Sequence, residues 1–200
     1  MKLILASNNK DKLREIREIM AGTGLEILSQ REAGCDFEAE ENGATFEENA
    51  RIKALVAVRA TGLPCVADDS GLEVNAMDNG PGIYSSRFCG DRTYPEACRE
   101  IIDIVNKSDD RGARFRCAVV CVFPDGKEIT AEGVIEGAVG YQLEGDHGFG
   151  YDPLFVPEGH AHSMACLTDK EKNAISHRGR AVRDFAEKWR TYMEAAKAKE

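Results

Sequence analysis

Apolar positions fall into short, ordered blocks along the chain. Residues 2–6 (Lys-Leu-Ile-Leu-Ala) read as a buried strand. Residues 10–21 then place Leu13, Ile16, Ile19 and Met20 at helical spacing before Gly22 and Gly24 stop the helix. Leu25 to Leu28 reads as a second short strand, and strand, helix, strand at this spacing suggests an α/β unit built on a sheet. Residues 29–44 are acidic, irregular and punctuated by glycine, which predicts a loop. Thr45 with Glu48 three residues later spells a reciprocal capping box ahead of a helix at about 46–60. Pro64 precedes a strand at 65–67, and Asp68-Asp69-Ser70-Gly71 reads as the turn that ends it.

Beyond a Gly/Pro-rich stretch at 79–82, Thr93 and Glu96 form another possible capping box before a helix at roughly 94–106. Residues 114–123 and 128–136 are β-rich and flank Pro124-Asp125-Gly126-Lys127, a strong hairpin signal. A Gly-rich loop at 145–150 leads to a short strand at 154–156. The last helix, about 177–197, aligns Val182, Phe185, Trp189 and Tyr192 or Met193 on one stripe. No internal repeat and no long linker divides the chain. The reading is one α/β domain over residues 1–200, with a mixed sheet made partly antiparallel by the hairpin.

Composition narrows the class. With 42% hydrophobic and 30% charged residues, the chain is neither disordered nor of low complexity. Two hundred residues suffice to bury roughly 70% of the unfolded surface without staples. Apolar runs such as Leu3–Ala6 and Ala118–Phe123 fall far short of the ~20 residues that span a bilayer. The N-terminus shows no apolar signal-peptide core, so a cytoplasmic protein without membrane contact is expected. A net charge of −9 argues against polymeric nucleic acid as a partner, because that attraction comes from clustered Lys and Arg. A small anionic ligand in a locally basic pocket remains compatible with it. Seven cysteines, several in apolar runs (Cys65, Cys117, Cys121), suit a reducing compartment and behave as small hydrophobes.

Several chemistries are unsupported. The chain has no P-loop, no G-x-G-x-x-G between a strand and a helix, and no G-x-S-x-G elbow. Cys117 and Cys121 lack paired histidines at zinc-binding spacing.

Other motifs carry two readings each. Ser7-Asn8-Asn9-Lys10-Asp11-Lys12 stands where the first strand turns into the first helix. Helix N–H groups and two lysines there make an anion site, or one of Ser7, Asn8 and Asn9 merely caps the helix. Asp68 and Asp69 close a buried strand, a position suited to metal binding or general-base work, or else to a simple Asx turn. Adjacent strand residues face opposite sides, so only one of the pair points into a given cleft unless the chain bends. Glu40 and Glu41 offer another hard oxygen ligand, or only a solvated acidic loop. Gly148-Phe149-Gly150-Tyr151-Asp152-Pro153 permits close backbone approach and stacking on a flat base, or forms a structural turn. Ser176-His177-Arg178 presents donors at a helix start, or a cap and a surface charge. Lys53 and Lys172 carry no signal singly.

As an ordered set these motifs say more. Ser7-Asn8-Asn9 with Lys12, Thr45–Ala50 with Lys53-Ala54, Ala67–Leu72, Pro81–Arg87, Gly148–Pro153 and Ser176–Arg178 closely resemble the non-canonical purine NTP pyrophosphatase family, the Ham1- and RdgB-like inosine triphosphate pyrophosphatases. The resemblance runs from residue 3 to about 185. It implies Mg²⁺-dependent hydrolysis of ITP, dITP and XTP to the monophosphate and pyrophosphate. It also implies an elongated mixed sheet flanked by helices, two lobes around a central active-site cleft, and a homodimer. Carried over by position, Ser7, Asn8, Asn9, Lys10, Asp11 and Lys12 would hold the phosphates, with Lys53 nearby. Glu41 and Asp69 would bind magnesium, Glu40 competing with Glu41. Asp69 would accept the proton, with Asp68 behind it. Ser70, Phe149, Gly150, Tyr151, Asp152, Lys172, His177 and Arg178 would contact the nucleotide, His177 or Arg178 donating to the 6-keto group. Where the family often has Thr-Gly-Asn, this chain has Ser7-Asn8-Asn9. Related Maf-like pyrophosphatases, which prefer pyrimidine or modified nucleotides, fit the Ser-His-Arg and Phe-Gly-Tyr-Asp motifs less well.

Overall fold

The computed structural model describes residues 2–35 and 37–197. Among the described residues there are seven strands and six α-helices, in the order β1 (Lys2–Leu5), α1 (Lys10–Ile19), β2 (Glu26–Ser29), α2 (Phe46–Thr61), β3 (Cys65–Val74), β4 (Gly80–Pro81), α3 (Ser85–Phe88), α4 (Tyr94–Val105), β5 (Gly112–Val122), β6 (Glu128–Val139), β7 (Phe155–Pro157), α5 (Asp169–Ile175) and α6 (His177–Lys197). The strands form one mixed sheet in the order β2-β1-β3-β5-β6-β7, with β4 on β3. β1 runs parallel to β2 and β3, while β6 and β7 are antiparallel.

The residues group into two compact units. The first holds the chain up to Asp69, Cys117–Gly133 and the chain from Arg178 onward. The second holds Ser70–Arg116 and Val134–His177.

In the first unit both sheet faces are covered, and the two-residue period of the strands decides which side chain meets which helix. Leu3, Leu5 and Val66 pack with Ile16 and Met20 of α1 and with Val182, Phe185 and Trp189 of α6. Ile4, Cys65 and Ala67 face the other way, onto Ala50, Ala54 and Ala57 of α2. The small alanines at i, i+4 and i+7 bring α2 close to the strands. Coverage on both sides explains why Leu3, Ile4 and Leu5 are all buried. In the second unit a separate core joins Leu72, Val74, Phe115 and Ile135 to Ala97, Cys98 and Ile101 of α4 and to Leu154, Phe155 and Met164.

The expected hairpin at 124–127 and the expected long helices are present. Three readings change. No turn interrupts Asp68–Gly71, because β3 continues to Val74 and every residue of that stretch lies in the strand. Hydrophilic side chains tolerate the strand interior here because ion pairs compensate them. The Thr45 box is only half reciprocal: Thr45 Oγ1 accepts the Glu48 N–H, but Glu48 Oε2 accepts from Ala44 rather than from Thr45. At α4 the Thr93 box is complete. Helix α5 was not expected, although Thr168 and Glu171 form a full capping box at its start.

Candidate active site

The first unit builds its polar cluster from the alternation of β3. Val66, Asp68 and their neighbours on one face meet α1 and α6, whereas Ala67 and Asp69 meet α2. Asp68 Oδ2 accepts Lys12 Nζ at 3.0 Å and Arg178 Nε at 3.2 Å. Arg178 Nη1 in turn donates to Glu15 Oε2 at 2.6 Å. Arg178 is only 1% exposed, and Glu15 and Asp68 are equally buried. Burial alone would raise the Asp68 carboxyl, but Lys12 and Arg178 outweigh it and hold it well below the usual carboxylate range. Arg178, itself penalised by burial, is stabilised as the cation by Asp68 and Glu15. Asp68 Oδ1 is buried with no hydrogen-bond partner among the described residues.

Asp69, on the opposite face, has a different set of partners. Its Oδ1 accepts Lys53 Nζ of α2 at 3.0 Å, and its Oδ2 accepts Asn49 Nδ2 at 3.3 Å. Lys53 Nζ also lies 3.2 Å from Glu41. Of the two candidate glutamates it is Glu41 that reaches this lysine, while Glu40 is exposed. Burial pushes the Asp69 carboxyl up, and Lys53 and Lys12 only partly offset it. Lys53 shifts upward as well: burial opposes its charge, but Asp69, Asp68 and Glu41 outweigh that penalty. It remains an ammonium at neutral pH.

Magnesium is a hard cation that binds oxygen ligands. Two carboxylates, Glu41 and Asp69, converge on one cationic point, the Lys53 ammonium. Among the described residues no group of three or more His, Cys, Asp or Glu gathers as a metal site. A hard ion that takes one or two protein carboxylates and completes its shell with water and phosphate oxygens fits such a pair. A zinc-like site of three or four protein ligands does not.

At the start of α1, Asn9 is the cap: its Oδ1 accepts the N–H groups of Asp11 (2.9 Å) and Lys12 (3.1 Å). Ser7 Oγ accepts the Asn9 N–H at 3.2 Å. The capping reading of this segment therefore holds for Asn9, and Asp11 faces Arg14 at 3.7 Å. Asn8 and Lys10 are exposed, and Lys12 is directed to Asp68.

The second unit gathers another part of the expected set. Asp152 Oδ2 accepts Lys172 Nζ at 2.6 Å and the Phe149 N–H at 2.8 Å. The same ammonium lies 4.6 Å from the centre of the Phe149 ring, a cation–π contact. Gly148 has φ +73°, and a Cβ there would stand 2.2 Å from Asp152 Oδ2, so the loop requires glycine. Gly150, the other glycine flanking Phe149, is half-buried in the same loop. Tyr151, expected as a nucleotide contact, is 4% exposed; its phenol donates to the Ser85 carbonyl at 2.6 Å and its ring meets Tyr94 edge-on. His177 is buried and stacked on Phe115 at 4.7 Å. Ser70 is half-buried within β3. Lys12 and Asp69 thus belong to the first unit, and Tyr151 and His177 to the second.

Three side chains of these clusters had no assigned role in the sequence reading. Asn49 was visible only as part of the Thr45–Ala50 string. Glu15 offered one signal, an acid beside the apolar stripe of α1. Ser85 lay in the Pro81–Arg87 motif, and its Oγ accepts the Leu72 N–H at 2.9 Å and donates to the Gly82 carbonyl at 2.7 Å.

Residues 3–188 match the sequence model of the Ham1 family. A dITP/XTP pyrophosphatase of Gluconobacter oxydans is 44% identical over 185 residues, covering 92% of this chain and 88% of its own. A solved Ham1 protein from Coxiella burnetii superposes with a TM-score of 0.85 at 37% identity, over 93% of this chain and 96% of that one. A solved nucleoside-triphosphatase, described as a dITP/XTP pyrophosphatase, from Mycobacterium abscessus gives 0.74 at 41% identity, over 92% and 97%.

Proposed function

The chain belongs to the Ham1 family, and from that premise we propose that it is a nucleoside triphosphate pyrophosphohydrolase acting on non-canonical purine nucleotides. It converts ITP, dITP and XTP to the monophosphate and pyrophosphate and so clears them from the nucleotide pool. The observation that carries this reading is the convergence of Glu41 and Asp69 on Lys53, inside the segment matched to the family.

Hydrolysis at the α–β bond adds water to the α-phosphorus and expels pyrophosphate, whose growing negative charge must be met by fixed positive charge. Lys53 and Lys12 supply two ammonium groups for that purpose, and Ser7, Asn8 and Lys10 at the start of α1 add side-chain donors. Asp69 is the proton acceptor for the attacking water. Its carboxyl, raised by burial, is a stronger base than a surface aspartate, and Lys53 Nζ lies 3.0 Å from it. Glu41 and Asp69 would hold Mg²⁺, which supplies charge neutralisation on the phosphate oxygens when bound. Asp68 takes a positioning role, since its pairs with Lys12 and Arg178 fix the lysine's direction.

Recognition of the base is assigned to the second unit's loop. The half-buried Phe149 ring, backed by Lys172 and Asp152, offers a stacking face. Hydrogen-bond donors near a 6-keto group favour hypoxanthine and xanthine, because adenine would leave its amine against another donor. An unpaired buried polar group costs about 1–3 kcal/mol, a tenfold to hundredfold preference per contact. Arg178, buried between Glu15 and Asp68, is assigned to support of the phosphate side instead. We further place the enzyme in the cytoplasm as a homodimer; sedimentation as a monomer in dilute buffer would contradict the latter. Among the described residues no helix is long and apolar enough to cross a membrane.

The test is pyrophosphate release from ITP, XTP, GTP, ATP and dTTP with and without Mg²⁺. Fastest turnover of ITP or XTP, lost on chelation, is expected. Faster turnover of dTTP than of ITP would reject the purine assignment.

A further inference from the structure

The structure assigns a positioning role to Asn49: we propose that this one amide couples the Glu41 loop to Asp69 and thereby sets the metal affinity of the site. The inference rests on the reading of Glu41 and Asp69 as the magnesium ligands.

Asn49 is fully buried in the first turn of α2. Its Nδ2 donates to Asp69 Oδ2 at 3.3 Å, and its Oδ1 accepts the Gly43 N–H at 2.9 Å. The orientation of this amide is forced. A backbone N–H can only donate and an ionised carboxylate can only accept, so only the carbonyl oxygen can face Gly43 and only the NH₂ can face Asp69. Aspartate would set acceptor against acceptor at Asp69, and leucine would satisfy neither partner.

The loop side shows an independent constraint. A Cβ on Gly43 would stand 2.7 Å from Glu48 Cβ, 2.8 Å from Asn49 Oδ1 and 3.0 Å from the Asn49 nitrogen. The loop is therefore pressed onto the helix start at a distance only glycine permits. Glu48 Oε2 adds a second tie through the Ala44 N–H at 2.7 Å. Glu41, two residues before Gly43, is delivered to Lys53 by this anchored segment. One side chain thus touches the strand that carries one candidate ligand and the loop that carries the other. Magnesium demands near-ideal octahedral geometry, so the separation of its two carboxylates bears directly on affinity. Loss of partners that orient metal ligands typically costs about 10- to 100-fold in affinity or activity.

The experiment titrates the intact protein with Mn²⁺ alone, read by electron paramagnetic resonance, in wild type, Asn49→Leu and Gly43→Ala. The Mg²⁺ half-saturation of ITP turnover and the melting temperature are read on the same samples. Both variants should bind Mn²⁺ about 10- to 100-fold more weakly, and excess Mg²⁺ should restore turnover. Gly43→Ala leaves the Asn49 amide in place, so it carries the test should Asn49→Leu fail to fold. Wild-type Mn²⁺ affinity in folded Asn49→Leu, or in Gly43→Ala, would overturn the coupling, even with a lowered melting temperature. If wild type itself binds no Mn²⁺ and needs no Mg²⁺, the reading of the metal site falls, and the inference with it.

Discussion

Asp68 and Asp69 are neighbours in the chain, lie in one strand and are both buried, yet their surroundings differ in kind. On the Asp68 face, two anions (Asp68, Glu15) meet two cations (Lys12, Arg178), and the named charges cancel. On the Asp69 face, two anions (Asp69, Glu41) share one cation, Lys53. On the first face Lys12 and Arg178 outweigh burial and lower the carboxyl's affinity for protons; on the second, burial outweighs the lysines and raises it. A balanced buried network contributes order and rigidity. The face beside the Glu41 loop retains a carboxylate that binds a proton more readily than a surface aspartate does. The two-residue period of a strand is what separates these roles at adjacent positions.

The largest effect is expected at the Asp69 face. Asp69→Asn removes the proposed proton acceptor and a proposed metal ligand, and kcat for ITP should fall by roughly 10³ or more, with nucleotide binding by calorimetry largely spared. Next comes Asp68→Asn, which leaves Arg178 and Lys12 short of an anion. Breaking a buried pair costs about 3–5 kcal/mol, seen as a melting temperature lower by on the order of 10 °C.

The pH dependence should separate the two carboxyls. The depressed Asp68 contributes stability that is present above the ordinary aspartate value near ~4 and is lost as pH falls. The raised Asp69 contributes in the other sense, favouring the folded state at low pH and losing that contribution as pH rises through its folded value. Urea midpoints from pH 3 to 7 should therefore fall toward acid in wild type, and fall less in Asp68→Asn. At pH 7, Asp69→Asn should be at least as stable as wild type. A smaller change is expected from Tyr151→Phe. It leaves the Ser85 carbonyl without its buried donor, at about 1–3 kcal/mol of stability, and should raise KM for ITP several-fold with little change in kcat.

Much of the fold was readable because local signals agreed with tertiary demands. The helix at 46–61 has a cap, an alanine stripe and a terminal glycine, and the hairpin at 124–127 has its turn residues between two β-rich runs. Strand β3 was misread at its middle because Asp-Asp-Ser-Gly has turn chemistry. Lys12, Arg178, Lys53 and Asn49, brought from elsewhere in the chain, make a strand interior tolerable for those carboxylates. Helix α5 was missed because seven mostly polar residues carry no period. At the site, Asp69, Glu41 and Lys53 were named from motifs. The pairing of Glu15 with Arg178, 163 residues apart, has no local trace. Nor does the burial of Tyr151, whose partner Ser85 stands in a motif whose role was unread.

The division of labour between the two adjacent carboxylates is tested most directly by single-turnover pyrophosphate release from ITP in Asp68→Asn and Asp69→Asn, normalised to folded protein. Asp68→Asn, though less stable, should turn over at least about a hundredfold faster than a folded but nearly inactive Asp69→Asn. Equal losses in the two variants, or wild-type turnover in Asp69→Asn, would contradict it.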